Sequence, residues 1–433
     1  MRIARLEVHN FRCFERAAFE FQPGFNLLVG VNGSGKTSLL KAVAASLAPV
    51  LNGVAQPEFS PLSEENNTRL ALTEVRGRVR YERCYPVSVD VSGELCEQQR
   101  SWRLEQSGPG SEPQWEHAIF CAIGDEAAQI AQGGHGVLPV AAFYGAGRKW
   151  LLTGMTAETA VRRQDSRLDA YASWHDAALD VEGLQAWVIA KSLERLEAMA
   201  DGGYALRDEA LGELDVVNEA LARAMPDAKG LRYDIKYRRL LLEWHHRKPV
   251  PFETLSDGQR TLAALVADIA RRMCLLNPQL AADQILKVTP GIVLIDELDM
   301  HLHPAWQRRI AGVLKQVFPS VQFIAASHSP QIIGELDPQE ILILHGGRAL
   351  GHPERAFGLE SGEVLQEIMD APARNPGVAM HLASIRRALD DERLDEAKQE
   401  LTELEQQVGE IPDVLEVKSA LDTLRWLREE GGQ

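Results

Sequence analysis

Along this chain the apolar residues keep two periods, and the points where one gives way to the other mark its elements. Ile3, Leu6 and Val8 stand between charges and the texture returns over 17–21, which predicts two short strands, 2–8 and 17–21, around a turn at Asn10-Phe11-Arg12-Cys13-Phe14-Glu15. The run Phe25-Asn26-Leu27-Leu28-Val29 predicts a buried strand, 39–48 a helix, and 49–68, with its Gly and Pro breaks, a loop. Between 70 and 104, Val75, Val79 and Tyr81, then Val87, Val89 and Val91, then Trp102 and Leu104 read as an antiparallel meander or hairpin. Residues 106–114, rich in Gly, Ser and Pro, mark a boundary or exposed loop, and 137–144 read as a buried strand closing on Gly145-Ala146-Gly147-Arg148.

From there the texture becomes helical. Leu184, Trp187, Val188, Leu193 and Leu196 lie near helical spacing, and Leu214, Val217, Leu221 and Met225 recur every three or four residues, over a stretch too short for a long coiled-coil arm. Strand-like alternation returns over 231–244. A long apolar helix is expected over 261–276, with Ser256 or Asp257 placed to cap it. Two further buried strands end in Ile295-Asp296-Glu297 and in Ser327-His328-Ser329-Pro330. Strands alternating with helices imply an α/β fold whose mostly parallel sheet takes its ligands at the carboxyl ends. In the tail, Leu394, Ala397, Leu401, Leu404 and Val408 form one helical stripe and Val417, Leu421 and Leu424 another, separated by Pro412. A hairpin of two such helices buries little, so one face is expected to pack on the body or on a partner.

Composition narrows the class. The chain has 433 residues, 45% hydrophobic and 25% charged, as in globular proteins, and no apolar run long enough to span a membrane. Five scattered cysteines without C-x-x-C spacing argue for a reducing cytoplasm rather than a zinc or disulfide framework, and the opening strand pattern leaves no signal peptide. The net charge of −16 repels nucleic acid except through a local basic patch. Residues 381–433 hold 14 Asp and Glu against 7 Lys and Arg, net −7, either a solvated surface or one that docks a basic protein.

The chemistry concentrates at strand ends. Gly30-Val31-Asn32-Gly33-Ser34-Gly35-Lys36-Thr37-Ser38 fits G-x-x-x-x-G-K-[ST] between a strand and a helix, a loop whose backbone N–H groups and helix dipole cradle phosphates. Lys36 would reach the β- and γ-phosphates and Thr37 would place its hydroxyl on Mg²⁺. A buried strand ending in two carboxylates needs a use for them. Asp296 would share the Mg²⁺ with Thr37, and Glu297 would orient or deprotonate the attacking water. His328, one strand away, could touch the γ-phosphate. His301 and His303, two apart and followed by Pro304, suit a helix start better than a metal pair.

Five motifs in order, Asn10-Phe11-Arg12, the 30–38 loop, Leu255-Ser256-Asp257-Gly258-Gln259, Leu294-Ile295-Asp296-Glu297-Leu298-Asp299 and Ser327-His328, resemble the ABC-type ATPase heads of SMC and RecF proteins. That resemblance implies a two-lobed P-loop NTPase head, with a mostly parallel sheet, an antiparallel sheet, a helical insertion and C-terminal helices. It implies ATP and Mg²⁺ as cofactors, Arg12 on the phosphates, and Asn32, Gly33, Ser34, Gly35, Lys36, Thr37 and Ser38 around them. Ser256, Gly258 and Gln259 would belong to a signature that meets the γ-phosphate held by a second subunit, and Leu298-Asp299 to a loop crossing that interface. Asp257 stands where many members have glycine, and the glutamine that usually follows the first lobe's strand is not placed; Gln164 is a weak candidate.

More narrowly, residues 256–272 and 296–307 resemble the ATP-binding proteins of Septu-type antiphage defence, PtuA among them, and the resemblance covers most of 1–345. In that family the ATPase accompanies a separate HNH nuclease, and no H-N-H motif occurs in this chain. The implied partners are a second copy, in a homodimer or higher oligomer, and that nuclease, with nucleic acid reached through the complex and no membrane. The expected divisions are 1–150, an ATPase lobe with the phosphate loop; 151–250, a helical insertion; 251–350, the second lobe; and 351–433, an acidic helical appendage. The alternatives are a RecF-like repair ATPase that binds DNA, and a nucleotide-dependent structural dimer with little turnover.

Overall fold

In the computed structural model the chain is described throughout except at residues 56–58, 61, 63–66, 76–77, 149, 151–154, 163–165, 201–211 and 431–433. Gln164 lies outside the described residues. The first hairpin, β1 (Arg2–Phe11) and β2 (Phe14–Glu20), is longer than its apolar alternation suggests. Phe11 pairs with Phe14 and both are buried, so pairing continues until only Arg12 and Cys13 are left to turn. After β3 (Phe25–Val29), all buried, α1 (Lys36–Leu51) starts and ends three residues beyond the expected 39–48. Pro49 lies inside its last turn, where one lost backbone bond is offset by burial of Val50 and Leu51.

The expected meander is two hairpins in different sheets. β4 (Leu70–Val75) and β5 (Arg78–Arg83) stand as a two-stranded ribbon. β6 (Val87–Leu95) and β7 (Gln98–Gln106) join the first hairpin in the antiparallel order β2-β1-β6-β7. α2 (His117–Ala131) fills a stretch whose pattern predicts no element; its few buried positions, such as Ile119, Ile123 and Ile130, leave a weak periodic signal. β8 (Val140–Tyr144) follows, then α3 (Ala157–Arg162), α4 (Val181–Ala200) and α5 (Glu213–Ala224). A small antiparallel sheet of order β11-β10-β9 comprises β9 (Ala228–Asp234), β10 (Arg239–Trp244) and β11 (Val250–Pro251).

The last third of the body runs α6 (Asp257–Leu276), α7 (Ala282–Val288), β12 (Gly291–Ile295), α8 (Pro304–Val317), β13 (Val321–Ala326), α9 (Pro330–Ile333), β14 (Ile341–His345) and β15 (Arg348–Gly351). The main sheet has the order β15-β14-β3-β13-β12-β8, parallel except for β15, so β3 and β8 from early in the chain share it with four late strands. The carboxyl ends of β3, β13, β12 and β8 therefore line up along one edge. Gln322 on β13 joins this sheet to the antiparallel one, because its amide accepts from Ile3 N and donates to Ile3 O, each at 2.8 Å.

The chain divides into two compact units, Met1–Leu359 and Glu360–Gln433. The second holds α10 (Ser361–Glu367), α11 (Pro376–Asp390), α12 (Leu394–Val408) and α13 (Pro412–Glu430). The two stripes read from the sequence are present, but the expected two-helix hairpin is a three-helix core. Leu382, Ile385 and Leu389 of α11 cover the face expected to need a partner. Among the described residues no helix is long and apolar enough to cross a membrane.

Candidate active site

The loop between β3 and α1 turns into its helix through Gly35, whose φ of 111° only glycine adopts without strain and beside which a Cβ would meet Phe14 at 3.0 Å. Lys36, 7% exposed, folds back over the loop, and its Nζ donates to the carbonyls of Gly30 at 2.7 Å and Val31 at 3.2 Å. Burial lowers its pKa below the ordinary lysine value, against the fields of Asp296, Asp299 and Glu297. Ser34 Oγ is buried with no hydrogen-bond partner among the described residues. Arg12 lies behind Ser38, its Nε donating to Ser38 Oγ at 3.1 Å and its Nη1 to Asn67 Oδ1 at 2.8 Å.

Opposite the loop, β12 ends in Asp296, 4% exposed, and in exposed Glu297, which has φ of 48°. A left-handed conformation at a residue with a Cβ costs about 1–3 kcal/mol and persists only where its surroundings impose it. Here the surroundings are visible. Arg148, after the end of β8, donates through Nη1 to Asp296 O at 2.5 Å and Gly145 O at 3.1 Å, and through Nη2 to Glu297 O at 2.8 Å. At the next strand end, Asp299 Oδ1 accepts from Ser327 Oγ at 2.5 Å and His328 N at 3.3 Å. His328 is half-buried, and burial, then repulsion from Lys36, hold its pKa below the ordinary imidazole value.

These residues meet in one cavity of about 220 Å³, lined by Cys13, Asn32, Gly33, Gly35, Lys36, Thr37, Ser38, Asp296, Glu297, Ala326 and His328. The elements bearing them lie far apart in sequence, Lys36 and His328 by 292 positions. Ser256, Gly258 and Gln259 are not in its lining. Ser256, the alternative to Asp257 as cap, takes that place on α6: its Oγ accepts from Gln259 N and Gln259 Oε1 accepts from Ser256 N, each at 3.4 Å. Asp257 pairs with Arg260 instead. Gly258 packs against the loop after β12, where a Cβ would come within 2.5 Å of His301 O. His303 caps α8, its Nδ1 accepting from Ala305 N at 3.3 Å.

Sequence reading missed the part of Arg148. Its place after a buried strand was visible, but the carbonyls it meets are 148 and 149 positions away. A second group of buried charges also escaped notice. Asp268 on α6 accepts from Tyr144 Oη at 2.8 Å, Arg272 Nε at 2.8 Å and Arg271 Nη2 at 2.8 Å, and Arg271 reaches Asp180 at 2.5 Å. Burial pushes the Asp268 carboxyl up, but Arg272 and Arg271 outweigh it and hold it below the usual carboxylate range.

Residues 143–334 match the family model described as "AAA domain, putative AbiEii toxin, Type IV TA system", and residues 5–182 match a second, "AAA domain". The chain is similar to the Retron Ec83 probable ATPase of Escherichia coli, 43% identical over 28% of this chain and 22% of that one. It is similar to the Septu protein PtuA of Bacillus mycoides (strain KBAB4), 44% identical over 21% of this chain and 12% of the relative. The matches thus span about a fifth or less of those relatives' own lengths. Among solved structures, an Smc head domain with an extended coiled coil, bound to the C-terminal domain of ScpA derived from Pyrococcus furiosus, is 16% identical with a TM-score of 0.48, over 84% of this chain and 99% of that one.

Proposed function

We propose, from the premise that this chain carries AAA-family ATPase domains, that it is an ABC-type ATPase head that binds ATP with Mg²⁺, closes into a homodimer on it, and gates a separate HNH-type nuclease in antiphage defence. The observation that carries the reading is the convergence of the phosphate loop, two strand-end carboxylates and His328 in one cavity. The residues fit a magnesium nucleotide: among the described residues Ser34 Oγ is buried without a partner, and the Lys36 ammonium donates to loop carbonyls that phosphate oxygens can replace. Thr37 and Asp296 would hold the ion, which when bound supplies charge neutralisation at the phosphates.

Each residue then has a task. Lys36 exchanges the Gly30 and Val31 carbonyls for phosphate oxygens, a charge-assisted and stronger bond. Glu297 accepts a proton from the attacking water, and His328, kept neutral by its surroundings, hydrogen-bonds the γ-phosphate. Arg12 acts through Ser38 at the rim. Ser256, exposed at the start of α6 and outside the cavity, would face the nucleotide of a second copy, with Gly258 packed beneath it and Gln259 beside it. Glu297→Gln is expected to keep ATP binding, cut hydrolysis by about 10²-fold or more, and double the mass seen by light scattering when ATP is added. Normal turnover and a mass indifferent to ATP overturn the reading. Purification from the native host is expected to bring down an HNH-bearing protein; its absence overturns the gating part.

A second reading, contact with nucleic acid, is favoured by the β4–β5 ribbon, where Arg78 and Arg80 stand exposed beside Tyr81, itself 70% exposed. Phosphate contacts there require affinity for DNA that falls steeply between low and moderate salt. Binding unaffected by Arg80→Glu sets this reading aside.

A further inference from the structure

We infer that Arg148 is a positioning residue for hydrolysis, the group that fixes the backbone of Glu297 so that its carboxylate faces the phosphate cavity. The inference rests on the reading of Glu297 as the base. Three observations carry it. Glu297 is a non-glycine residue at φ of 48°, a conformation that relaxes unless something external imposes it. Arg148 meets it from outside its own strand: one guanidinium, 6% exposed, spans the carbonyls of Asp296 and Glu297 on either side of the Glu297 Cα, while β13 takes the next N–H, Leu298 N donating to Ala326 O at 2.8 Å. The third is the kind of bond made. Among the described residues Arg148 makes its hydrogen bonds to three carbonyls, those of Gly145, Asp296 and Glu297, while its Nε is buried without a partner.

A buried, permanently charged group bonded to carbonyls is a costly way to tie two loops together, since an amide would do so without desolvating a charge. What the guanidinium adds is its fork and its charge. The planar fork takes two successive carbonyls with one side chain and fixes the angle between them. The charge lies beside Asp296, Glu297 and Asp299, whose fields offset part of the cost of burying it. Arg148 itself is not in the cavity lining, so it acts through Glu297 and not on the nucleotide. The strand end it grips is also fixed by the backbone, as Asp296 N donates to Tyr144 O at 2.9 Å. That bond sets the height of the strand; in the turn after it Arg148 shares the Glu297 carbonyl with Met300 N, which donates to it at 3.0 Å.

The test is a double-mutant cycle on the full chain. Arg148→Gln is expected to lower kcat by about 10-fold to 10²-fold, leave the dissociation constant for ATP within about 3-fold, and add nothing to Glu297→Gln, since groups acting as one unit are not additive. Arg148→Lys, which keeps the charge and removes the fork, is expected to recover part of kcat and folds if the glutamine variant does not. Undiminished kcat in Arg148→Lys and Arg148→Gln, or a full further loss on top of Glu297→Gln, overturns the inference while leaving the ATPase reading intact. A wild-type chain that neither binds nor hydrolyses ATP overturns both.

Discussion

The body of this molecule buries two groups of charges, and they are answered in opposite ways. Around Asp268 every charge meets another: two arginines and a tyrosine hydroxyl converge on one carboxylate, and Arg272 spends a further nitrogen on the carbonyls of Ala170 and Ala172. Around Lys36 the cations lie in the field of carboxylates but give their hydrogen bonds to neutral groups. The ammonium lies on two carbonyls, Arg148 on three, and Ser34 Oγ on nothing. A closed cluster holds helices in register; an open one keeps its strongest bonds for something that arrives. Tyr144 belongs to both, its carbonyl accepting from Asp296 N and its hydroxyl donating to Asp268.

The contrast breaks most visibly at Lys36. Lys36→Ala is expected to abolish ATP binding in calorimetry while lowering the melting temperature little, because the carbonyls it leaves are already part of an open site. Unchanged affinity would mean that the open cluster is not waiting for phosphate. Asp268→Ala should do the reverse. It takes the shared carboxylate from two buried guanidinium groups, leaving Arg271 with Asp180 and Arg272 with the carbonyls of Ala170 and Ala172, and is expected to cost about 3–5 kcal/mol in denaturant unfolding. A loss below about 1 kcal/mol would show that the cluster is not closed after all.

A finer distinction comes from pH. His328 has its pKa lowered in the folded chain, so the folded state binds fewer protons than the unfolded one just below the ordinary imidazole value of about 6.5. Its contribution to stability is therefore full above that value and is lost as pH falls through it. Nucleotide phosphates reverse the repulsion from Lys36, so ATP binding at pH near 6 is expected to take up a fraction of a proton, seen as a dependence of binding enthalpy on buffer ionisation. His328→Asn should remove that uptake; if it persists unchanged, the histidine does not sense the phosphate. The smallest effect is expected at the tail. Because α11, α12 and α13 bury their own core, deleting 360–433 should leave ATP affinity within about 3-fold. A larger change would tie the acidic unit to the site.

The part of this site carried by short contiguous patterns was readable before any fold was known. A glycine-rich loop between a strand and a helix, and carboxylates or histidine closing a buried run, are local signals, and Lys36, Asp296, Glu297 and His328 do share one cavity. What could not be read depends on contacts across the chain. The β12–β8 pairing that brings Arg148 to Glu297 joins residues about 150 positions apart, and nothing local distinguishes that arginine from a solvated one. The tail shows the same limit on a smaller scale. The stripes of α12 and α13 were plain, but α11 has Leu382, Ile385 and Leu389 on a helix rich in small and basic residues, and missing it turned a self-covered core into an apparent docking face.

Gln322 carries one more consequence, for how the body can move. Its amide takes both main-chain groups of Ile3 and also donates to Gln22 O at 2.8 Å, so one side chain does the work of a strand residue between two sheets. Such a joint resists sliding, because any shear of one sheet past the other breaks the two buried bonds to Ile3 at once. Kinematically, the antiparallel sheet and the β3–β13 half of the main sheet count as one rigid link. A movement driven by nucleotide, under the function proposed above, would have to leave this joint intact.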